Sequence, residues 1–152
     1  MDDKARIQSI FQTGTDMVIS TADKDGNPWI TPVSYAFDQQ YCLYWVSAKD
    51  SRHSSNIRER KEVSIVIYMY EPKADAVYIE AEAEELTDDA EIIDAIKVRS
   101  SRPQLKKFEV KSLEEVTSRA AWRIYKAIPK AMYVRESTMV ENQAVTIRRK
   151  IA

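Results

Sequence analysis

Between positions 47 and 58 the chain sets Ser47, Lys49, Ser51, Arg52, His53, Ser54, Ser55, Asn56 and Arg58 between two strongly apolar segments, YCLYWVS and EVSIVIYMY. Hydroxyls, a guanidinium and an ammonium at that density are the chemistry of anion binding. The run SRHSSNIRER reads as a helix with Asp50 or Ser51 as its N-cap. Its first turn would expose backbone N–H groups at the positive end of the helix dipole. Ser51 and Ser54 would add hydroxyl donors, Arg52 a fork matched to phosphate oxygens, and Lys49 a charge just before the helix. The same residues also serve as an ordinary cap with a solvated arginine, and His53 as a surface or capping histidine. Residue types alone leave both readings open. Arg58 and Arg60 read as a solvated helix face. Trp29, Trp45 and Trp122 could stack on a flat ligand, although aromatic residues in a small barrel commonly belong to its core.

The scarce residue types exclude more than the common ones suggest. The 152 residues include two glycines, one histidine and one cysteine. A Walker loop or a dinucleotide-binding turn needs several glycines for close backbone approach to phosphate, so neither fits. One Cys and one His make a zinc site untenable, and no serine lies in a GxSxG setting. Any phosphate grip must therefore use side chains and a helix terminus. Hydrophobic content of 44% and charged content of 31% describe one globular domain over residues 1–152. With 23 basic against 24 acidic residues the net charge is −1, which gives no global attraction to nucleic acid or membrane. No apolar run reaches the ~20 residues of a membrane span. The opening MDDKARIQSIFQ lacks the order of a secretory signal, and the lone Cys42 suits a reducing compartment. Cytoplasm is the expectation.

These candidates must be positioned by strands. DDKARIQSIFQTG predicts a short helix capped by Asp2 or Asp3 and ended by Gly14. DMVISTA, WITPVSYAF and YCLYWVS read as strands, with a DKDGNP turn whose Asp-Gly step supports positive φ. Pro32 marks an edge or a bulge. EVSIVIYMY is a further strand, and AVYIEAEAEEL alternates with Val77, Ile79, Ala81 and Ala83 on one face. Thr87 predicts the cap of a helix whose buried side is Ile92, Ile93 and Ile96. Residues 99–119 read as short helices and loop, and AAWRIYKAI, KAMYVRES and AVTIRR as closing strands. Five or six strands in hairpin order, with inserted helices, predict a mainly β, α+β fold: an antiparallel, Greek-key-like split barrel with peripheral helices.

The run from DGNPWITPVSYAF to SRHSSNIRERKEVSIVIY resembles the FMN-binding split barrel of the pyridoxamine 5'-phosphate oxidase-like superfamily. The resemblance rests on an ordered set. Gly26-x-Pro28 leads into a strand with Thr31-Pro32-Val33, a second strand ends at Ser47, and Ser51-Arg52-His53 stands where a Ser-Arg-Lys helix start is usual. Asn56-Ile57 and the apolar Val63 to Tyr68 follow. The match covers residues 16–85, and more loosely WRIYKAIPKAMYV. It implies that Thr31, Pro32 and Val33 run along an isoalloxazine edge. Val46 and Ser47 would lie near the ribityl chain, and Ser51, Arg52 and His53 would hold the phosphate. It implies, too, a twofold homodimer with the cofactor at its interface.

The chain departs from the superfamily's true oxidases at several points. Thr31 and Ala36 stand at basic positions, His53 replaces a lysine, and the tail ENQAVTIRRKIA has no Arg-x-His motif. Pyridoxamine phosphate oxidation is therefore not the expectation. The implied function is an FMN oxidoreductase that reduces a small molecule with a nicotinamide donor, no catalytic side chain being identifiable. The alternatives are a non-catalytic flavin- or haem-binding storage or sensing protein, with His53 a conceivable iron ligand, and a cofactor-free dimeric interaction module.

Overall fold

The computed structural model describes residues 2–152. Helix α1 (Asp3–Thr13) is capped by Asp2, whose carboxylate accepts the Ala5 amide at 2.7 Å, and it buries Ile7, Ile10 and Phe11. Strands β1 (Asp16–Ala22), β2 (Pro28–Ser34), β3 (Ala36–Phe37) and β4 (Leu43–Ala48) precede helix α2 (Arg52–Glu59). Strands β5 (Glu62–Met69) and β6 (Asp75–Glu85) then lead to helix α3 (Asp89–Ser100). Two 3-10 turns, Pro103–Phe108 and Leu113–Val116, precede β7 (Trp122–Val140) and β8 (Gln143–Lys150). The ladders are antiparallel throughout, in the order β2-β1-β5-β6-β7-β4-β3, with β8 on β7. This is the expected α+β split barrel.

The barrel is closed by covalent chain as well as by hydrogen bonds. The segment WITPVSYAF, expected as one strand, breaks at Tyr35, and its two halves pair at opposite ends of the sheet order. β2 thus lies alongside β4 with no ladder between them, and this is the split. Pro32 sits on β2, whose one ladder is to β1, so it withholds an N–H where no second strand needs one.

Tyr35 is fully buried at the break, and its hydroxyl reaches the carbonyls of Phe11 (2.8 Å) and Gly14 (3.0 Å). Arg102, also buried, donates to the same two carbonyls, and its guanidinium lies 4.5 Å above the Tyr35 ring. Burial pushes the Tyr35 hydroxyl up to about 12. Gly14 does end α1, but in an extended conformation (φ −65°, ψ 140°) and not through positive φ. Space explains its identity: a Cβ there would stand 2.8 Å from both Ile67 Cγ2 and the Tyr35 hydroxyl.

Inside the barrel, Met17, Ile19, Ile67, Val77, Ile79 and Tyr125 pack around the fully buried Trp45. Trp45 and Tyr125 stack, with ring centroids 5.6 Å apart. A smaller cluster outside the wall joins Tyr44 and Ile124 to Ile92 and Ala95 of α3 and to Val110 and Val116. It fastens residues 103–116 over the barrel. The β6 alternation holds, with Val77, Ile79, Ala81 and Ala83 buried.

Other boundaries differ from the sequence reading. Asp88, not Thr87, caps α3, accepting the Glu91 amide at 3.0 Å. The buried stripe of α3 is Ile92, Ala95 and Arg99, while Ile93 is exposed. The two closing strands expected around Pro129 form one strand of 19 residues. Pro129 fits because it falls between the stretches of β7 paired to β4 and to β8, where a register shift at Glu80–Ala81 accommodates Lys130. Eight strands result, one of them two residues long. Gly14→Ala is expected to lower stability by about 1–3 kcal/mol, the range for overpacking. Thermal unfolding measures this, and an unshifted melting temperature would contradict the close approach.

Candidate functional site

The sequence at the end of β4 delivers Ser47, and the turn after it caps α2. Ser51 is the N-cap, accepting the Ser54 amide at 3.3 Å. Its hydroxyl hydrogen goes to Ser54 Oγ (2.7 Å), and that of Ser54 goes to the Ala48 carbonyl (2.8 Å). His53 Nε2 lies 2.8 Å from Ser47 Oγ and 3.3 Å from Ser51 Oγ. Ser47, Ser51 and His53 are therefore brought together as expected, but within a self-satisfied ring. The donors expected from Ser51 and Ser54 are spent on this ring. Asn56 does not face the ring: its amide donates to the buried Thr21 hydroxyl at 3.0 Å and pins α2 to β1.

What remains outward is a smaller anion seat. The first-turn amides of Arg52 and His53 lie beyond the reach of any intrahelical carbonyl. Arg52 is exposed, and its guanidinium rests 4.5 Å from the centroid of the Trp29 ring, with no ion pair among the described residues. Stacking on an aromatic face holds the fork without consuming its edge donors. Arg58 instead pairs with Glu85 at 3.4 Å, and Arg60 donates to the Lys24 carbonyl.

A cavity of about 550 Å³ opens at the split itself. Pro32, Val33 and Ser34 of β2 and Val46 of β4 form one side of it; Phe108, Val110 and Val116 form the other, with Trp122 and Arg99. The sequence reading put Pro32 and Val33 along a ring edge and Val46 with Ser47 near the ribityl chain; here Pro32, Val33 and Val46 line one cavity. Thr31 is half-buried on the same strand but does not line the cavity. Trp29, under Arg52, and Val33, in the cavity wall, lie four residues apart on β2, about 13 Å at the rise of an extended chain. A flat ring with a phosphorylated tail covers such a span.

The far wall was missed from sequence. Its one accessible signal was Arg99, seven residues after Ile92 and four after Ala95, a spacing that places it on their helical stripe. The two 3-10 turns carry no periodicity that could have placed Phe108 or Val110. Among the described residues no cluster of His, Cys, Asp and Glu could hold a metal ion.

Burial holds the His53 imidazole below its ordinary value of 6.5. It is therefore neutral at pH 7 and adds no charge to the seat. Since the unfolded chain binds this proton more readily, the stability associated with neutral His53 is intact above pH 6.5 and is lost as pH falls below it. Melting temperature should fall between pH 7.5 and 5.5, and less in His53→Gln. Parallel profiles would mean that the ring tolerates the protonated imidazole.

No helix among the described residues is long and apolar enough to cross a membrane. No curated protein matches the chain in sequence. Among solved structures, the haem storage protein HutZ of Vibrio cholerae is similar with a TM-score of 0.70 and 17% identity, over 88% of this chain and 95% of that one. A FAD-binding protein of Mesorhizobium loti is similar at 0.64 and 17%, over 87% and 92%. An F420 reductase is similar at 0.60 and 15%, over 82% and 94%. At these identities the likeness is one of fold. The sequence profile of the family described as pyridoxamine 5'-phosphate oxidase matches residues 4–141, nearly the whole barrel with its helices. The chain belongs to the pyridoxamine 5'-phosphate oxidase family.

Proposed function

We propose that the protein is an FMN-binding flavoprotein that reduces a small molecule with electrons from a nicotinamide donor. The observation that carries this reading is the cavity at the split, walled by Pro32 and Val33 of β2 and Val46 of β4, with Trp29 of the same β2 strand stacked under Arg52. A flavin needs a flat apolar slot and an anchor for its phosphate, and these residues match both requirements. Pro32, Val33 and Val46 would border the ring. Arg52 and the first-turn amides of α2 would take the phosphate, with Thr31, Ser47, Ser51 and His53 supporting that end. Bound FMN supplies electron and hydride transfer. The chain's part is to hold, orient and exclude water, which agrees with the lack of an evident acid–base pair.

The homodimer belongs to the same proposal. Val18, Ile30, Val66 and Tyr78 line an outward-facing hollow of about 450 Å³ on the sheet, with Ile30 65% exposed. A second copy covering this face would remove it from water and bring a partner surface towards the split. The buried free thiol of Cys42 is consistent with a reducing cytoplasm. Haem binding, suggested by the Vibrio cholerae haem storage protein of similar fold, would require an axial ligand. The one imidazole has its Nε2 engaged by Ser47, which favours flavin.

The purified protein, or the protein incubated with FMN, should absorb near ~450 and ~375 nm, and NAD(P)H in the dark should bleach both bands. A Soret band would replace the flavin reading with haem, and a protein that remains colourless would remove both. Arg52→Ala should weaken FMN about tenfold, roughly 1.5 kcal/mol, the low end for a charge-assisted bond because the site is exposed. Ile30→Asp should shift the sedimentation coefficient from dimer to monomer. An unchanged coefficient would place the interface elsewhere.

A further inference from the structure

Among the described residues one buried arginine, Arg99, is left with most of its donors unused. Arg99 lies on the buried stripe of α3 and is 5% exposed. Its Nη2 donates weakly to the Phe108 carbonyl at 3.4 Å, while Nε and Nη1 have no hydrogen-bond partner. No carboxylate pairs with it among the described residues. Its position is not that of a side chain filling a structural gap, because it lines the cavity at the split. Arg102, three residues on, shows what a structural arginine looks like here: it caps two carbonyls and stacks on two rings.

A buried guanidinium with free donors is unfavourable unless an anion completes it. Desolvation pulls Arg99 down to about 10, which leaves it charged at neutral pH. The remaining lining limits the kind of anion. Pro32, Val33, Val46, Phe108, Val110 and Trp122 are apolar, Arg99 is the cavity's one cation, and Glu109 and Glu115 also line it. A phosphate carries −1.5 to −2 charges at pH 7 and would be under-neutralised beside two carboxylates. A single carboxylate matches a single arginine.

We propose that the cavity receives a small aromatic or apolar monocarboxylate, its carboxylate against the Arg99 guanidinium and its body between Val46 and Phe108. As the substrate or its analogue, this ligand would lie against the flavin position of the proposed function, on which the catalytic meaning of the site rests; the binding itself does not require flavin. The apolar walls select the body and exclude water, and the buried cation selects one negative charge.

The test uses the full-length protein and three probes of one shape, benzoate, benzamide and phenyl phosphate, titrated by calorimetry with and without FMN. Benzoate is expected to bind at least about tenfold more tightly than the other two, the scale of one charge-assisted bond. In Arg99→Met, which fills the same space without charge, the preference for benzoate over benzamide should vanish, and Arg99→Lys should restore part of it. Equal affinities in the wild-type protein, tighter binding of phenyl phosphate, or a preference that survives in Arg99→Met would each overturn the proposal. The wild-type comparison decides the matter even if a variant fails to fold. Benzoate selectivity without FMN binding leaves the carboxylate site standing and removes the flavin reading. FMN binding without benzoate selectivity does the reverse.

Discussion

Two backbone oxygens, those of Phe11 and Gly14 at the end of α1, are the point on which the architecture turns. A helix C-terminus leaves carbonyls unpaired and carries partial negative charge, yet α1 has no basic residue in its last turn. The cation comes from Arg102, 88 positions beyond Gly14, and the neutral donor from Tyr35, at the step where β2 becomes β3. One small polar knot therefore ties the N-terminal helix, the closure of the barrel and the start of the 3-10 segment. Because it is enclosed by Phe11, Tyr35 and Phe37, each bond in it is made in surroundings where water cannot substitute. The split between β2 and β4 opens beside this fixed point.

The same knot explains why residues 103–116 can form a wall without long regular structure. Arg102 anchors the beginning of the segment, and Leu105, Val110 and Val116 bury its apolar contacts at intervals. Between these anchors the chain is free to present Phe108 and the glutamates to the cavity. Two arginines three residues apart thus have opposite characters. One gives both terminal nitrogens to carbonyls of the fold, and the other has only a weak bond from Nη2.

Much of this was legible in the sequence where a rule of local geometry applied. The alternation of β6, the Asp-Gly turn, the capped start of α2 and the edge position of Pro32 all follow from residue type and spacing. Pro32, Val33 and Val46 were named through resemblance and not through periodicity, and the resemblance set Val46 with Ser47 instead of with the β2 pair. What was not legible depended on partners distant in sequence. Tyr35 looks like any strand aromatic until the barrel bends there. Pro129 looks like a strand break until β4 and β8 are seen to leave it an interval. Arg99 fell in the polar run of residues 99–119, read as short helices and loop, while the buried side of α3 was assigned to Ile92, Ile93 and Ile96. The hydroxyls around Ser51 were counted as free donors because their sequence does not say that they satisfy one another.

The length of β7 has a consequence for how the molecule must come into being. One strand of 19 residues serves β6 along one side and β4 and β8 along the other. Until residues 122–140 have left the ribosome, β4 has only the two-residue β3 as a neighbour, and one edge of β6 is bare. A nascent chain can assemble the β1, β2, β5, β6 half early, because its ladders are already encoded. The other half, including the wall of the cavity bearing Val46, must wait with apolar edges open. Docking of β7 is thus a late, long-range event of the kind that slows β-rich folding and exposes intermediates to association. The strand that completes the barrel also ends the interval in which the half-built protein is most in need of protection.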